Sequence, residues 1–255
     1  MALITNLQQT SPPHSVTVQG AYEPFDLQLA RKQIMGHQSV FLFGYSLAIP
    51  NTGYIPAWEN ISAYTYPATP VAMTIVSTSA SDTAVTVKIV GLDGNYNNIS
   101  ETVTLNGTSG IVTSNLYFRV NQLDVVVGNP LGVITAKNGG TTYGQIAIGV
   151  GQSNMSIFTV PAGYTFYGSH VGAWSSTSVT SGVFATFRAL IYNPEGTTFV
   201  VSQVPFLNTF EFAAQYPLTF PEKTDIQLQF KSSGAGLAIG TILEGILIKN
   251  NSQTA

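Results

Sequence analysis

The chain has no cysteine, which removes disulfides, thiol catalysis and thiolate metal sites together and leaves packing and association to hold the fold. Charge is scarce as well: Asp, Glu, Lys and Arg make up 8% of residues, against roughly 25% in an ordinary soluble domain. Nine basic residues face twelve acidic ones, and Arg31-Lys32 is the only adjacent basic pair. The electrostatic footprint of a phosphate-backbone binder is therefore missing, and nucleic acid is not expected as a partner. No apolar run approaches the ~20 residues that cross a bilayer, although 44% of residues are hydrophobic. The start, Met1-Ala2-Leu3-Ile4-Thr5-Asn6, has no basic segment leading into an apolar stretch, so neither a secretory signal nor a membrane partner is expected.

With few ions, the polar surface falls to Ser, Thr, Asn and Gln. These cost less to desolvate than charged groups and suit faces that end against another protein. A length of 255 residues allows two β domains, each with its own core. The expected fold class is all-β: an N-terminal extended arm with connecting strands over 1–56, a β-sandwich over 57–150, and a second, jelly-roll-like β-sandwich over 151–255.

In the arm, Ser11-Pro12-Pro13 blocks regular structure, and Phe25, Leu27 and Leu29 alternate with polar residues in the period of a strand. Val40-Phe41-Leu42-Phe43 reads as a buried strand ended by Pro50, Gly53 and Pro56. Further on, Val85, Val87 and Ile89 fall on one face with Thr86 and Lys88 on the other, and Leu92 to Asn98 supplies the turn into Ile99–Leu105. The second half carries seven strand-like runs, from Met155–Val160 to Leu237–Ile248, joined by turns such as Asn193-Pro194-Glu195-Gly196. The domain boundary is placed near Gly149 to Gln152, and helix is expected to be scarce.

Reactive constellations fail on context. Gly44-Tyr45-Ser46-Leu47-Ala48 approaches a nucleophile elbow, but its last position is Ala and Pro50 stands where a helix should start. His14, His37 and His170 lie tens of residues apart with no metal-ligand spacing, and His170 reads as half-buried and bonded to backbone. Asp93-Gly94-Asn95-Tyr96-Asn97 begins like a calcium loop but has Thr104 where a bidentate carboxylate is required, so an Asx-type turn is expected. Glu222 and Asp225 are the closest carboxylate pair of interest and read as an exposed turn offset by Lys223. No catalytic residue, metal site or cofactor is expected. Tyr64, Tyr66, Tyr164, Phe166 and Tyr167 suit either core packing or a glycan- or protein-binding surface.

Five strings carry a resemblance: Glu23-Pro24-Phe25-Asp26-Leu27-Gln28-Leu29-Ala30-Arg31, Val90-Gly91-Leu92-Asp93-Gly94-Asn95-Tyr96-Asn97, Ser100-Glu101-Thr102-Val103-Thr104-Leu105-Asn106-Gly107, Phe158-Thr159-Val160-Pro161-Ala162-Gly163 and Phe220-Pro221-Glu222-Lys223-Thr224-Asp225-Ile226. Over residues 23 to about 248 the chain resembles virion structural proteins of tailed bacteriophages, especially marine and cyanobacterial ones. It departs from them where Ala84 runs directly into Val85 without a Gly- and Arg-containing extension, and where Tyr164 replaces the usual Lys after Pro-Ala-Gly.

The resemblance implies a particle component assembled in the host cytoplasm. The leading expectation is a non-enzymatic capsid decoration or cement protein, a homo-oligomer and most simply a trimer, packed against the major capsid protein. A tail component, either an adaptor-like ring subunit or a fibre base, is the alternative, and a glycan-binding module comes third. Phe25, Leu27, Leu29, Arg31, Tyr164 and Tyr167 are the candidate inter-subunit contacts.

Overall fold

A computed structural model describes residues 23–176, 182–234 and 236–250. The Ser11-Pro12-Pro13 segment and His14 lie outside the described residues. One short helix, α1 (Phe25–Ala30), precedes β1 (His37–Ile49) and β2 (Ile55–Pro56). Then come β3 (Val71–Ser77), β4 (Thr86–Leu92), β5 (Asn98–Thr104), β6 (Ile111–Tyr117), β7 (Arg119–Val127), β8 (Ile134–Asn138) and β9 (Thr141–Ile146). The chain ends with β10 (Ile157–Thr159), β11 (Tyr164–Ser175), β12 (Ala185–Tyr192), β13 (Thr198–Phe206), β14 (Thr209–Phe220), β15 (Asp225–Ser232) and β16 (Leu237–Lys249). These ladders are antiparallel, so the described residues are all-β apart from α1.

The pairing is nested. β1 pairs with β16, β2 and β10 with β15, β11 with β14, and β12 with β13. Two further ladders, β11 on β16 and β12 on β15, roll this long hairpin into sheets of order β1-β16-β11-β14 and β10-β15-β12-β13. First with last, working inwards, across two stacked sheets, is the topology of a jelly roll. Its core holds Ile49, Ala57, Phe166, Phe187, Phe230 and Ile239.

The expected boundaries need correction, because the jelly roll is discontinuous in sequence. Ile55 and Pro56 pair with Phe230 and Gln229, while Ile157 to Thr159 pair with Gln227 to Asp225. β2 and β10 are therefore two pieces of one strand position along β15, and the other domain leaves and returns between them. Ala57 lies in the jelly-roll core and Trp58 in the other core, and at the exit Ile157 and Phe158 are divided the same way. Successive side chains of an extended chain point to opposite sides, so one residue step suffices to change cores. Gly149 to Gln152 is not the boundary: Val125 N–H donates to the Gly151 carbonyl and Ser153 N–H to that of Leu123, which tie this segment to the β7 edge.

The inserted domain stacks a sheet of order β6-β3-β8-β9 on one of order β5-β4-β7, around Trp58, Met73, Ile75, Val87, Ile89 and Leu123. Asp93 makes the expected Asx turn, its Oδ1 accepting from the N–H groups of Asn95 and Asn97 at 2.8 and 2.9 Å. Asp82 is buried and accepts from Ser77 Oγ and from the N–H groups of Leu131 and Gly132, which pins the loop before β8.

The region expected as an arm is built in. β1 runs alongside β16 from His37 to Ile49, and Val40 and Leu42 pack on the jelly-roll core. Residues 25–30 form α1 rather than a strand, with Pro24 at the N-cap, Asp26 in the first turn, and bonds from Gln28 N to Pro24 O and Arg31 N to Leu27 O. Proline pre-sets φ for a helix start and an early carboxylate complements the helix dipole, a local signal that outweighs the two-residue alternation.

Candidate functional site

A heavily bonded polar pair joins the two domains. Arg119 opens β7 and Asp225 opens β15, and they meet as a buried bidentate pair, Nε to Oδ1 at 2.8 Å and NH2 to Oδ2 at 2.9 Å. Thr159 Oγ1 donates to Asp225 Oδ1 at 2.5 Å, and Arg119 NH1 donates to the Phe118 carbonyl. The guanidinium also lies 4.4 Å from the Tyr66 ring centroid and 4.1 Å from that of Phe118. Burial alone would pull the Arg119 guanidinium down, but its hydrogen bonds and charge pairing with Asp225 outweigh this and hold it above its ordinary value. This is a clasp between cores: the guanidinium donates through all three of its nitrogens, and both carboxylate oxygens of Asp225 accept. Asp225 therefore corrects the reading of Glu222 to Asp225 as an exposed turn.

The outer face of the β1-β16-β11-β14 sheet has a different character. Register aligns Tyr45, Gly240, Trp174 and Thr209 in one row across the four strands, and Phe43, Ile242, Gly172 and Glu211 in the next. A third row holds Phe41, Glu244, His170 and Ala213. The indole of Trp174 lies over Gly240, where a Cβ would come within 2.3 Å of Nε1. Phe41, Phe43, Tyr45, Leu47 and Trp174 stay 40–66% exposed. The polar centre is His170, whose Nδ1 meets Glu244 at 3.1 Å and whose Nε2 meets Glu211 at 2.6 Å. The expected backbone bond of His170 is thus replaced by two carboxylates on flanking strands, contacts that its own segment of sequence does not contain.

The six candidate contacts are dispersed. Phe25 and Leu27 are exposed on α1, whereas Leu29 is buried against its own chain and offers nothing to a partner. Arg31 is exposed and paired with Glu23. Tyr164 packs partly on the jelly-roll core, and Tyr167 is half-buried on β11. Ser46 is fully buried, and His37 Nδ1 contacts the Met35 carbonyl. Among the described residues no group of three or more His, Asp or Glu is arranged to hold a metal ion, and no helix is long and apolar enough to cross a membrane. Tyr64 and Tyr66 belong to the inserted core and its margin.

Neither a protein-family profile nor a characterised protein sequence matches the chain. Among solved structures, the chain is similar to that of the infectious bursal disease virus Gt strain at 14% identity, with 89% of this chain and 78% of the other covered and a TM-score of 0.25. The VP2 subviral particle of the same virus follows at 12% identity, 89% and 82% coverage and a TM-score of 0.20. Similarity at this level transfers neither fold nor role to this chain.

Proposed function

We propose that the chain is a non-catalytic structural subunit of a tailed-phage virion, a capsid decoration or cement protein that works as a homo-oligomer by burying uncharged faces against its own copies and the major capsid protein. The observation that carries this reading is the outer face of the β1-β16-β11-β14 sheet, where Phe41, Phe43, Tyr45, Leu47 and Trp174 form an exposed aromatic and aliphatic band with charge only at its His170 centre. Soluble monomers rarely leave such bands contiguous, and a band of this composition gains by being covered. The sequence resemblance to phage virion proteins supplies the setting. Many modest contacts, repeated over a shell, add through multivalency.

The test is to count and locate the protein in purified particles by quantitative mass spectrometry and labelled electron microscopy. On the order of hundreds of copies on the head is the expected result for a closed shell lattice. About six to eighteen copies at the tail would replace the decoration reading with a tail-ring or fibre-base one. Absence from particles would overturn both.

A further inference from the structure

The jelly roll is closed on one side and open on the other. β13 and β14 each end a sheet, and they are joined directly through Leu207 and Asn208, so the two edge strands follow one another in the chain. Between them opens an apolar cavity of about 410 Å³, reaching in to Phe187, Phe210, Phe220 and Leu228. Phe199, Val201, Phe212 and Leu218 stand at this mouth and its neighbouring recess, where they remain 39–44% exposed. A closed sandwich would bury these positions.

Some other strand edges are guarded. In the inserted domain the Glu101 carboxylate accepts from Ser114 and Asn115 N–H and so bridges β5 to β6, and Gly151 to Ser153 lie along β7. β14 carries Glu211 and Pro217, and its register breaks between Ala213 and Leu218. β13 reads Thr-Phe-Val-Val-Ser-Gln-Val-Pro-Phe, with no charge and with its one proline next to the end. Among the described residues nothing hydrogen-bonds to its free edge. A long uncharged edge with exposed apolar side chains is a template for another strand.

We infer that a second copy of this chain closes the open side, with β13 pairing antiparallel to β13 of the copy about a two-fold axis. Identical strands meeting this way are self-complementary, and β13 brings no charge that its twin would repel. With Leu207, in the turn after β13, and Tyr216, on β14, also exposed, covering these side chains removes on the order of 500 Å² per copy, at ~150–250 Å² for a whole aromatic. The backbone ladder adds to this, which brings the contact toward the ~800 Å² per partner of a standard interface. The inference deepens the proposed structural role and rests on it. It uses a surface different from the Phe41 to Trp174 band, and a lattice requires more than one kind of contact per subunit.

The absence of native cysteine makes the test clean. Single-cysteine variants Val200→Cys, Ser202→Cys and Gln203→Cys are oxidised in dilute solution and, separately, after incorporation into particles. Near the two-fold axis at least one should form a disulfide with its own counterpart, giving a covalent dimer on a non-reducing gel. A Val200→Lys/Val201→Lys variant should keep its circular dichroism spectrum and lose at least tenfold in association by analytical ultracentrifugation. Failure of all three to cross-link, or unchanged association of the lysine variant, would overturn the inference. So would native mass spectrometry showing a monomer with a small apolar molecule in the cavity. The two readings fail separately. A chain found in particles without β13 cross-links keeps its structural role and loses this interface, and one that cross-links yet is absent from particles does the reverse.

Discussion

The two sides of the jelly roll obey different rules. On the side of β1, β2 and β10 the inserted domain packs against the sandwich: Tyr45 N–H donates to the Asn154 carbonyl, Ser156 N–H to that of Ala57, and Arg119 reaches across to Asp225. On the side of β13 and β14 the same sandwich leaves Phe199 and Phe212 44% exposed beside a cavity. A core that can be closed from within one chain is closed by an insertion, and the part left open is the part available to other chains. Stability should therefore be sensitive to change on the first side, and association on the second.

The largest expected effect breaks the closed side. Arg119→Ala leaves Asp225 buried with only Thr159 to bond it, and such an uncompensated charge costs about 3–5 kcal/mol. Chemical denaturation followed by intrinsic fluorescence should show this loss, together with the splitting of one transition into two as jelly roll and insertion uncouple. The double variant Arg119→Met/Asp225→Leu should be less destabilised than either single change, because no orphan charge remains. A loss below about 1 kcal/mol for Arg119→Ala would show that the clasp does not hold the closed side together.

A smaller effect contrasts two glycines. A Cβ on Gly44 would lie 2.6 Å from Ser156 Cβ and 2.7 Å from the Ala57 carbonyl oxygen, and a backbone oxygen cannot swing away. Gly44→Ala should cost about 1–3 kcal/mol through overpacking. A Cβ on Gly172 would instead meet the Glu211 carboxylate at 2.8 Å, and that exposed side chain can move, so Gly172→Ala should stay within about 0.5 kcal/mol. Thermal melts of the two variants at one protein concentration compare a position locked against the insertion with one that faces only a movable side chain, and equal losses would mean that the contact with the insertion is not what constrains Gly44.

Much of this architecture could be read from the residues. The alternation of Val85, Val87 and Ile89 sets a strand with one wet face, and all three are buried. Seven strand-like runs in the second half correspond to β10 to β16. The insertion was not legible, because β2 contributes only Ile55 and Pro56 and its continuation lies about a hundred residues later, so no local period marks Ile55 and Ile157 as parts of one strand position. The clasp was hidden for a related reason. Arg119 and Asp225 each sit at a strand start where a charge ordinarily faces water, and only the folded chain brings them together across a sequence separation of 106. α1 was misread because Phe25, Leu27 and Leu29 mimic a strand, while Pro24 and Asp26, which start the helix, lie at its edge.

The smallest expected effect tests the hinge of the closed side through pH. Glu59 follows Trp58 at the entry to the insertion and accepts from Asn154 Nδ2 at the exit, 3.0 Å away. Burial pushes its carboxyl up to about 7 against the lowering influence of bonds from the Ala147 backbone and Asn154. The folded chain thus keeps a proton that the unfolded chain releases above about pH 4.5. Between these two values the native state binds more protons, so stability falls as pH rises through the window from about 4.5 to about 7 and is level above it. The side chain is partly solvated, and screening reduces the fall to about 1 kcal/mol. Glu59→Gln cannot ionise yet still presents a carbonyl oxygen to Asn154. Its unfolding free energy from urea titration should vary less with pH across the window, matching the native chain near pH 5 and exceeding it by about 1 kcal/mol at pH 8. A native chain whose midpoint rises toward pH 7 would mean that the ionised carboxylate is the form the junction favours, and that the two crossings between domains are held by charge after all.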